Sequence, residues 1–364
     1  MCVVMAVIVF VLGTFVTSHY KTILVPKDMY FPQFTTITRT HSSSVYLCHR
    51  SSPSSLTHGV EFIDTTGIVD LSHSMSDDEL IKKAMKVPSV AEYPKKVAFM
   101  FLARGHLPLG LFWEKFFKGN EGLFSIYLHT SPDFVYEPPS SSVFYKRSIP
   151  SKPVQWGKPS MIDAERRLLA NALLDFSNQR FILLSETCIP LFNFKTVYNY
   201  LINANKSFLS SFDDPRKMGR GRYNKRMGPT ITLQDWRKGS QWFEVNRELA
   251  IEIVSDKIYY NVFQYHCLPP CYMDEHYLPT LVTKVRPDLT TNTTVTWTDW
   301  SGGGSHPTTF MRKDITEAFL NRIRYESNCI YNGVNSSICF LFARKFHPST
   351  LEPLLKMASK LFGF

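Results

Sequence analysis

Val97–Ala103 reads VAFMFLA and Phe124–His129 reads FSIYLH, with a helix-like span around Leu111 to Phe117 between them. A short, continuous apolar run bounded by polar residues is the pattern of a strand buried on both faces. Downstream, Ser160-Met161-Ile162-Asp163 supplies a capping sequence for a helix through Leu174, with Leu168, Leu169 and Leu173 on its apolar face. Arg180–Ser185, RFILLS, then returns as a strand. Strands alternating with helices predict an α/β fold with a doubly wound, mostly parallel sheet. Another strand is expected at Ser207–Phe212, after a helix at Phe194–Leu201. Ligands of such sheets bind beyond the carboxyl ends of the strands, so topology places His129, Ser185, Glu186, Asp213 and Asp214 along a cleft.

Upstream of the first strand, Ser76-Asp77-Asp78-Glu79 forms a capping box for a short helix through Ala84 and Met85, and ordered structure is expected to start there. Residues 19–75 carry little apolar periodicity, and seven serines fall between Ser42 and Ser55, the composition of a stem. The first seventeen residues, MCVVMAVIVFVLGTFVT, hold no charge. That length sits near the minimum of about 17 for a transmembrane helix, so residues 1–18 read as a hydrophobic signal-anchor. Val16-Thr17-Ser18 is a poor cleavage site. Lys21 and Lys27, the nearest basic residues, would by the positive-inside rule hold the following chain in the cytoplasm.

Other features favour a lumenal body. Sequons stand at Asn205, Asn292 and Asn335. With Cys2 inside the apolar segment, Cys48, Cys188, Cys267, Cys271, Cys329 and Cys339 remain as an even set able to form disulfides, and Cys267/Cys271 and Cys329/Cys339 are the close-spaced pairs. Cys267-Leu-Pro-Pro-Cys271 can alternatively bind zinc if two more ligands join it, and His266 and His276 are the nearby histidines. Cys188 can equally stay free and buried. The net charge of +10 calls for an anionic partner: nucleic acid, a membrane surface, a nucleotide-sugar diphosphate or an acidic glycan. A lumenal address argues against nucleic acid.

The densest local signals are Gln241-Trp242-Phe243-Glu244 with Asn246-Arg247-Glu248-Leu249, then Cys271–Tyr277 (CYMDEHY), Trp297–Pro307 (WTDWSGGGSHP) and Phe342–Phe346 (FARKF). An acidic residue on a loop beside aromatics can serve as a base. In this order the motifs resemble the core-2/I-branching β-1,6-N-acetylglucosaminyltransferase superfamily, glycosyltransferase family 14, and most nearly its plant branch. The resemblance runs from about residue 75 to the C-terminus. It implies a single-pass type II Golgi membrane protein with a lumenal catalytic domain at residues 76–364 and a GT-A-like mixed sheet. It further implies an inverting mechanism, a UDP-sugar donor with N-acetylglucosamine as the default, a glycan or glycoprotein acceptor, and no required metal. The sequence contains no Asp-X-Asp, the usual acidic motif that holds a divalent ion on the donor diphosphate.

Residue by residue, the resemblance makes Glu275 the catalytic base, or Asp274 if the loop is displaced by one. It gives the leaving diphosphate to Lys345 and to either Arg322 or Arg324. It puts the donor near His129, Thr130 and Trp156, although family members often carry His-Val-Asp where this chain has His129-Thr130 and no aspartate until Asp133. Asp213 and Asp214 fall on the acceptor side, where Trp242 and Trp300 are candidates for stacking on sugar. The basic cluster from Arg216 to Arg226, interleaved with glycines, reads as a flexible loop: a solvated surface, an anionic glycan contact or a lid. The altered donor segment keeps open a second function, a catalytically silent lumenal scaffold or carbohydrate-binding protein.

Overall fold

In strand β1 (Lys96–Leu102) the side chains alternate between two cores: Ala98 and Met100 pack on one face, Val97, Phe99 and Phe101 on the other. Both faces are buried, which is why the run reads as continuously apolar. A computed structural model of the chain describes residues 71–88 and 93–364. The expected anchor at residues 1–18, and all but the last five residues of the stem, Cys48 among them, lie outside the described residues. No helix among the described residues is long and apolar enough to cross a membrane.

After helix α1 (Asp77–Ala84), the central sheet is built from β1, β2 (Phe124–His129), β3 (Asn178–Ser185) and β5 (Glu244–Asn246) in the order β2-β1-β3-β5. β1 pairs in parallel with β2 and β3, while β5 pairs antiparallel with β3. Helix α2 (Gly110–Phe117) covers one face and α3 (Ser160–Leu173) the other, so the sheet is doubly wound and mixed, as a GT-A-like domain requires. The α1 capping box forms as the sequence predicts. Ser160, however, does not cap α3: its hydroxyl accepts the Gln155 N–H at 3.0 Å and thereby folds the preceding loop.

A second sheet joins β4 (Ile189–Pro190), β9 (Phe342–Arg344) and β6 (Thr296–Thr298) in the order β4-β9-β6. It docks on the α2 face through aromatics: Phe99 lies 4.9 Å from Phe117 at 87° and 6.3 Å from Phe342 at 81°. Such edge-to-face pairs add about 0.5–1.5 kcal/mol each beyond area burial. The remaining elements are α4 (Phe194–Ile202), α5 (Arg247–Ser255), α6 (Ile258–His266), α7 (Met273–Val285), α8 (Glu317–Tyr325), the hairpin β7 (Cys329–Tyr331) and β8 (Val334–Ser336), and α9 (Leu351–Met357). Disulfides link Cys267 to Cys271 and Cys329 to Cys339, and Cys188 is free and buried. The first bond removes the zinc alternative at Cys267 and Cys271.

The expected strand at Ser207–Phe212 is not continuous. It makes isolated bridges instead: Ser207 to Thr290, Phe208 to Glu244 and Phe212 to Lys238. The neighbouring edge of β3 is already taken by β5, held there by a buried two-pronged pair in which Arg180 reaches both Glu244 oxygens at 2.6 Å. Glu244 of the Trp-Phe-Glu motif is thus a structural carboxylate, and Arg247 of the same motif donates to the Asp175, Asn178 and Leu173 carbonyls.

Candidate active site

The winding of the sheet reverses between β1 and β3, where Leu102 and Ser185 are partners in register. Beyond these ends stand Arg104, exposed, and Glu186, half-buried. The C-terminal strand β9 delivers Arg344 and Lys345 to the same place, fixed by the Phe346 N–H donating to Thr187 O at 3.0 Å. Burial holds the Lys345 ammonium below the usual lysine range, helped by the positive charges of Arg344 and Arg104 and opposed by Glu186. Burial likewise brings Arg344 down to about 10. Its guanidinium lies 3.9 Å from the ring centre of Trp242. A cleft end with this much positive charge and one carboxylate suits a polyanionic group.

The second centre is the start of α7. Tyr272, in the left-handed region at φ 57°, precedes the helix, and Asp274 and Glu275 occupy its first turn, where the helix dipole favours carboxylates. Pro279 lies inside α7 and has no N–H to give the Glu275 carbonyl. Gly239 supplies the missing donor at 2.9 Å. A Cβ at Gly239 would fall 1.9 Å from Ser210 O and 2.6 Å from Pro279 Cγ, so only glycine lets the two backbones approach. Lys238 pairs with the Glu275 carboxylate, and Arg222 Nη1 donates to it at 2.5 Å while lying 4.5 Å from the Tyr272 ring centre.

Burial pushes the Glu275 carboxyl up, but Lys238 and Arg222 outweigh it and hold the group below its ordinary value. Asp274 goes the other way: burial, and then the charge of Glu275, raise it to about 6. Glu165 of α3, also buried, is pushed well up by burial, while Gln241 donates to its Oε1 at 2.9 Å. One oxygen of Glu165 and one of Asp274 are buried without a partner. With its side chain 26% exposed, Glu275 is ionised and reaches solvent, whereas Asp274 is 6% exposed. A base must touch its substrate, so this geometry favours Glu275 over Asp274.

The other expected site residues disperse. His129 is buried and held neutral, its pKa lowered to about 4 by burial and by Arg167, whose Nη1 lies 3.1 Å from Nε2. Its side chain is therefore closed to a ligand, and half-buried Thr130 is the part of that segment a donor could meet. Arg324 is boxed by Phe192, Tyr325 and Phe362 at 4.7, 4.8 and 5.7 Å, which assigns it to packing. Arg322 is exposed; the Ser301 N–H chiefly holds the Asp299 carboxyl below its ordinary value, and the charge of Arg322 adds to this. Asp213 is paired with Arg220 and buried Asp214 with Arg216. Arg216 and Arg220 of the basic loop thus fold back on neighbouring aspartates, Arg222 reaches Glu275, and Trp236 Nε1 donates to Gly219 O at 3.1 Å. Trp242 is 6% exposed, with the Arg344 guanidinium over its ring, which leaves no face for a sugar. Trp156, by contrast, is exposed beside Tyr272 and His306. Asn205, Asn292 and Asn335 are all exposed.

Arg104, Lys238 and Glu165 are site neighbours that sequence reasoning missed. Arg104 follows the first strand directly, and position at a strand end was the available signal. Lys238 and Glu165 carried none, since chain folding alone brings them to α7.

A family model described as Core-2/I-Branching enzyme matches residues 97–324, which contain the sheet, Arg222 and Glu275. Glycosyltransferase BC10 of Oryza sativa subsp. japonica is 38% identical to the chain, covering 69% of this chain and 73% of its own. Over half of this chain thus matches the family model, and the similarity extends across most of a plant glycosyltransferase; the chain belongs to the core-2/I-branching enzyme family of glycosyltransferases.

Proposed function

We propose that the protein is an inverting, metal-independent glycosyltransferase that moves a sugar from a UDP-sugar, by family default N-acetylglucosamine, to a glycan or glycoprotein hydroxyl. The observation that carries this reading is a pair of distinct centres, one built around an ionised carboxylate and one around cations. A solvent-reaching, ionised Glu275 stands at the start of α7, and a cationic cluster of Lys345, Arg344 and Arg104 stands by the ends of β1 and β3.

In the proposed step Glu275 takes the proton of the acceptor hydroxyl as its oxygen attacks the anomeric carbon. The bond to the diphosphate oxygen breaks from the opposite side, so configuration inverts. Lys345 and Arg104 receive the charge that develops on the leaving UDP, the work a divalent ion does elsewhere. Arg322 is a further candidate for the diphosphate, Thr130 for the donor, and Asp213 for the acceptor. We place the enzyme in the Golgi lumen on a type II anchor formed by residues 1–18, with glycans at Asn205, Asn292 and Asn335; a mobility shift on endoglycosidase digestion tests that address.

The deciding experiment is a screen of UDP-sugar hydrolysis and transfer, comparing wild type with Glu275→Gln. Turnover of one donor by wild type and its loss in the variant support the reading. Binding of glycan without binding or turnover of any sugar nucleotide establishes the scaffold function instead, to which the replaced His-Val-Asp segment at His129-Thr130 points.

A further inference from the structure

Trp156 is 53% exposed although it is one of only six tryptophans in the chain. Its ring packs against Tyr272 and His306, tilted by 48° and 49°, with centroids 5.0 and 5.4 Å away. Three separate segments therefore meet here: the loop before α3, the start of α7 and the glycine-rich Trp297–Pro307 motif. Tyr272 is itself fixed. A Cβ at Gly157, whose φ of +74° favours glycine, would crowd its ring at 3.1 Å, and the Arg222 guanidinium lies 4.5 Å from the ring centre. The same guanidinium is bonded to Glu275 at 2.5 Å.

We propose that Trp156, braced by Tyr272 and His306, is a stacking platform for a pyranose ring of the acceptor glycan. This rests on the glycosyltransferase reading above and moves Trp156 from the donor side, where the family resemblance puts it, to the acceptor side. The base defines that side, because it must contact the acceptor hydroxyl, and Tyr272 ties the platform to the helix turn that carries the base. An indole face offers the C–H-bearing face of a pyranose a flat apolar surface and a negative quadrupole, while the ring hydroxyls stay in water at the rim. Of the two tryptophans first considered for stacking, Trp242 has Arg344 over its ring and cannot compete, while Trp300, 49% exposed, stays open to a ligand as well. The platform would add affinity for an extended acceptor without touching the reacting hydroxyl.

The test pairs two measurements on the whole protein. Saturation-transfer NMR and calorimetry with β-1,3-galactotriose and with cellotriose report the glycan, and calorimetry with UDP reports the donor. Wild type is expected to bind at least one trisaccharide with saturation concentrated on ring C–H protons. Trp156→Ala is expected to weaken that binding about tenfold, near 1.4 kcal/mol, and leave UDP affinity within about twofold. Trp156→Phe should recover most of the loss, and an unchanged melting temperature excludes misfolding. The proposal is overturned if wild type binds neither trisaccharide, if Trp156→Ala binds it as wild type does, or if the alanine variant loses UDP instead, which would return the ring to the nucleobase. If wild type binds no UDP while trisaccharide binding still depends on Trp156, the platform stands and the transferase reading falls.

Discussion

Arg222 is bound to the carboxylate of Glu275 at 2.5 Å, and with Lys238 the pair is partly exposed rather than sealed in the core. Ion-pairing of a base to two cations has a cost and a use. It lowers the proton affinity of Glu275, and it keeps the carboxylate ionised and fixed in place.

Replacing Arg222 with Gln removes one of the two cations, so the Glu275 pKa should rise. The acid limb of the kcat/KM profile should then move to higher pH, while Glu275→Gln should abolish the limb along with at least about 100-fold of the rate. The same pairing stabilises the fold: the folded pKa lies below the ordinary 4.5, so the contribution is present at neutral pH and is lost as pH falls below that value. An acid limb that stays in place in the Arg222 variant would dissociate Arg222 from the titration of Glu275.

Asp274 should behave in the opposite sense. Its folded pKa of about 6 exceeds the ordinary 3.8, so the native state holds a proton that the unfolded chain releases, and stability falls as pH rises through that interval. Asp274→Asn should gain about 1–3 kcal/mol relative to wild type above pH 6, with the gain vanishing toward pH 4. Thermal unfolding of both proteins across pH 4–8 checks this.

The Arg180–Glu244 pair is buried on both sides. Glu244→Ala leaves an uncompensated guanidinium between β3 and β5 and should cost about 3–5 kcal/mol by denaturant unfolding. Because Glu244 lies outside both charged centres, a loss of activity should track the loss of folded protein.

Lys345→Ala and Arg104→Ala should each raise the KM for the UDP-sugar, by about tenfold or more, with acceptor affinity unchanged. Activity should also survive EDTA. Loss of turnover on chelation, restored by a divalent ion, would refute the assignment of the leaving-group charge to these side chains.

The first three strands and the helices between them were legible because burial on both faces leaves a signal in every residue of Val97–Ala103 and Arg180–Ser185. Glu275 was reachable through the CYMDEHY motif. The strand at Ser207–Phe212 was misread because Ser207, Phe208 and Phe212 bridge singly to Thr290, Glu244 and Lys238, an arrangement that local pattern cannot distinguish from a ladder. Trp242, Glu244 and His129 looked functional because aromatics, carboxylates and histidines have the same letters in a core as in a cleft. Only the partners Arg344, Arg180 and Arg167, brought from far along the chain, show what each of them packs against.

The exchange at Pro279, in which the Glu275 carbonyl gives up its helical donor for the Gly239 N–H, divides the protein for anyone who wishes to redirect it. Trp156 is exposed and can be randomised in a library aimed at new acceptors, with Arg222 kept because it holds the base ionised. Gly239 and Pro279 cannot, since any larger residue at 239 displaces the turn that carries the base, and a donor restored at 279 would compete for the carbonyl that anchors it. Screening effort belongs on the rim, with that backbone junction held constant.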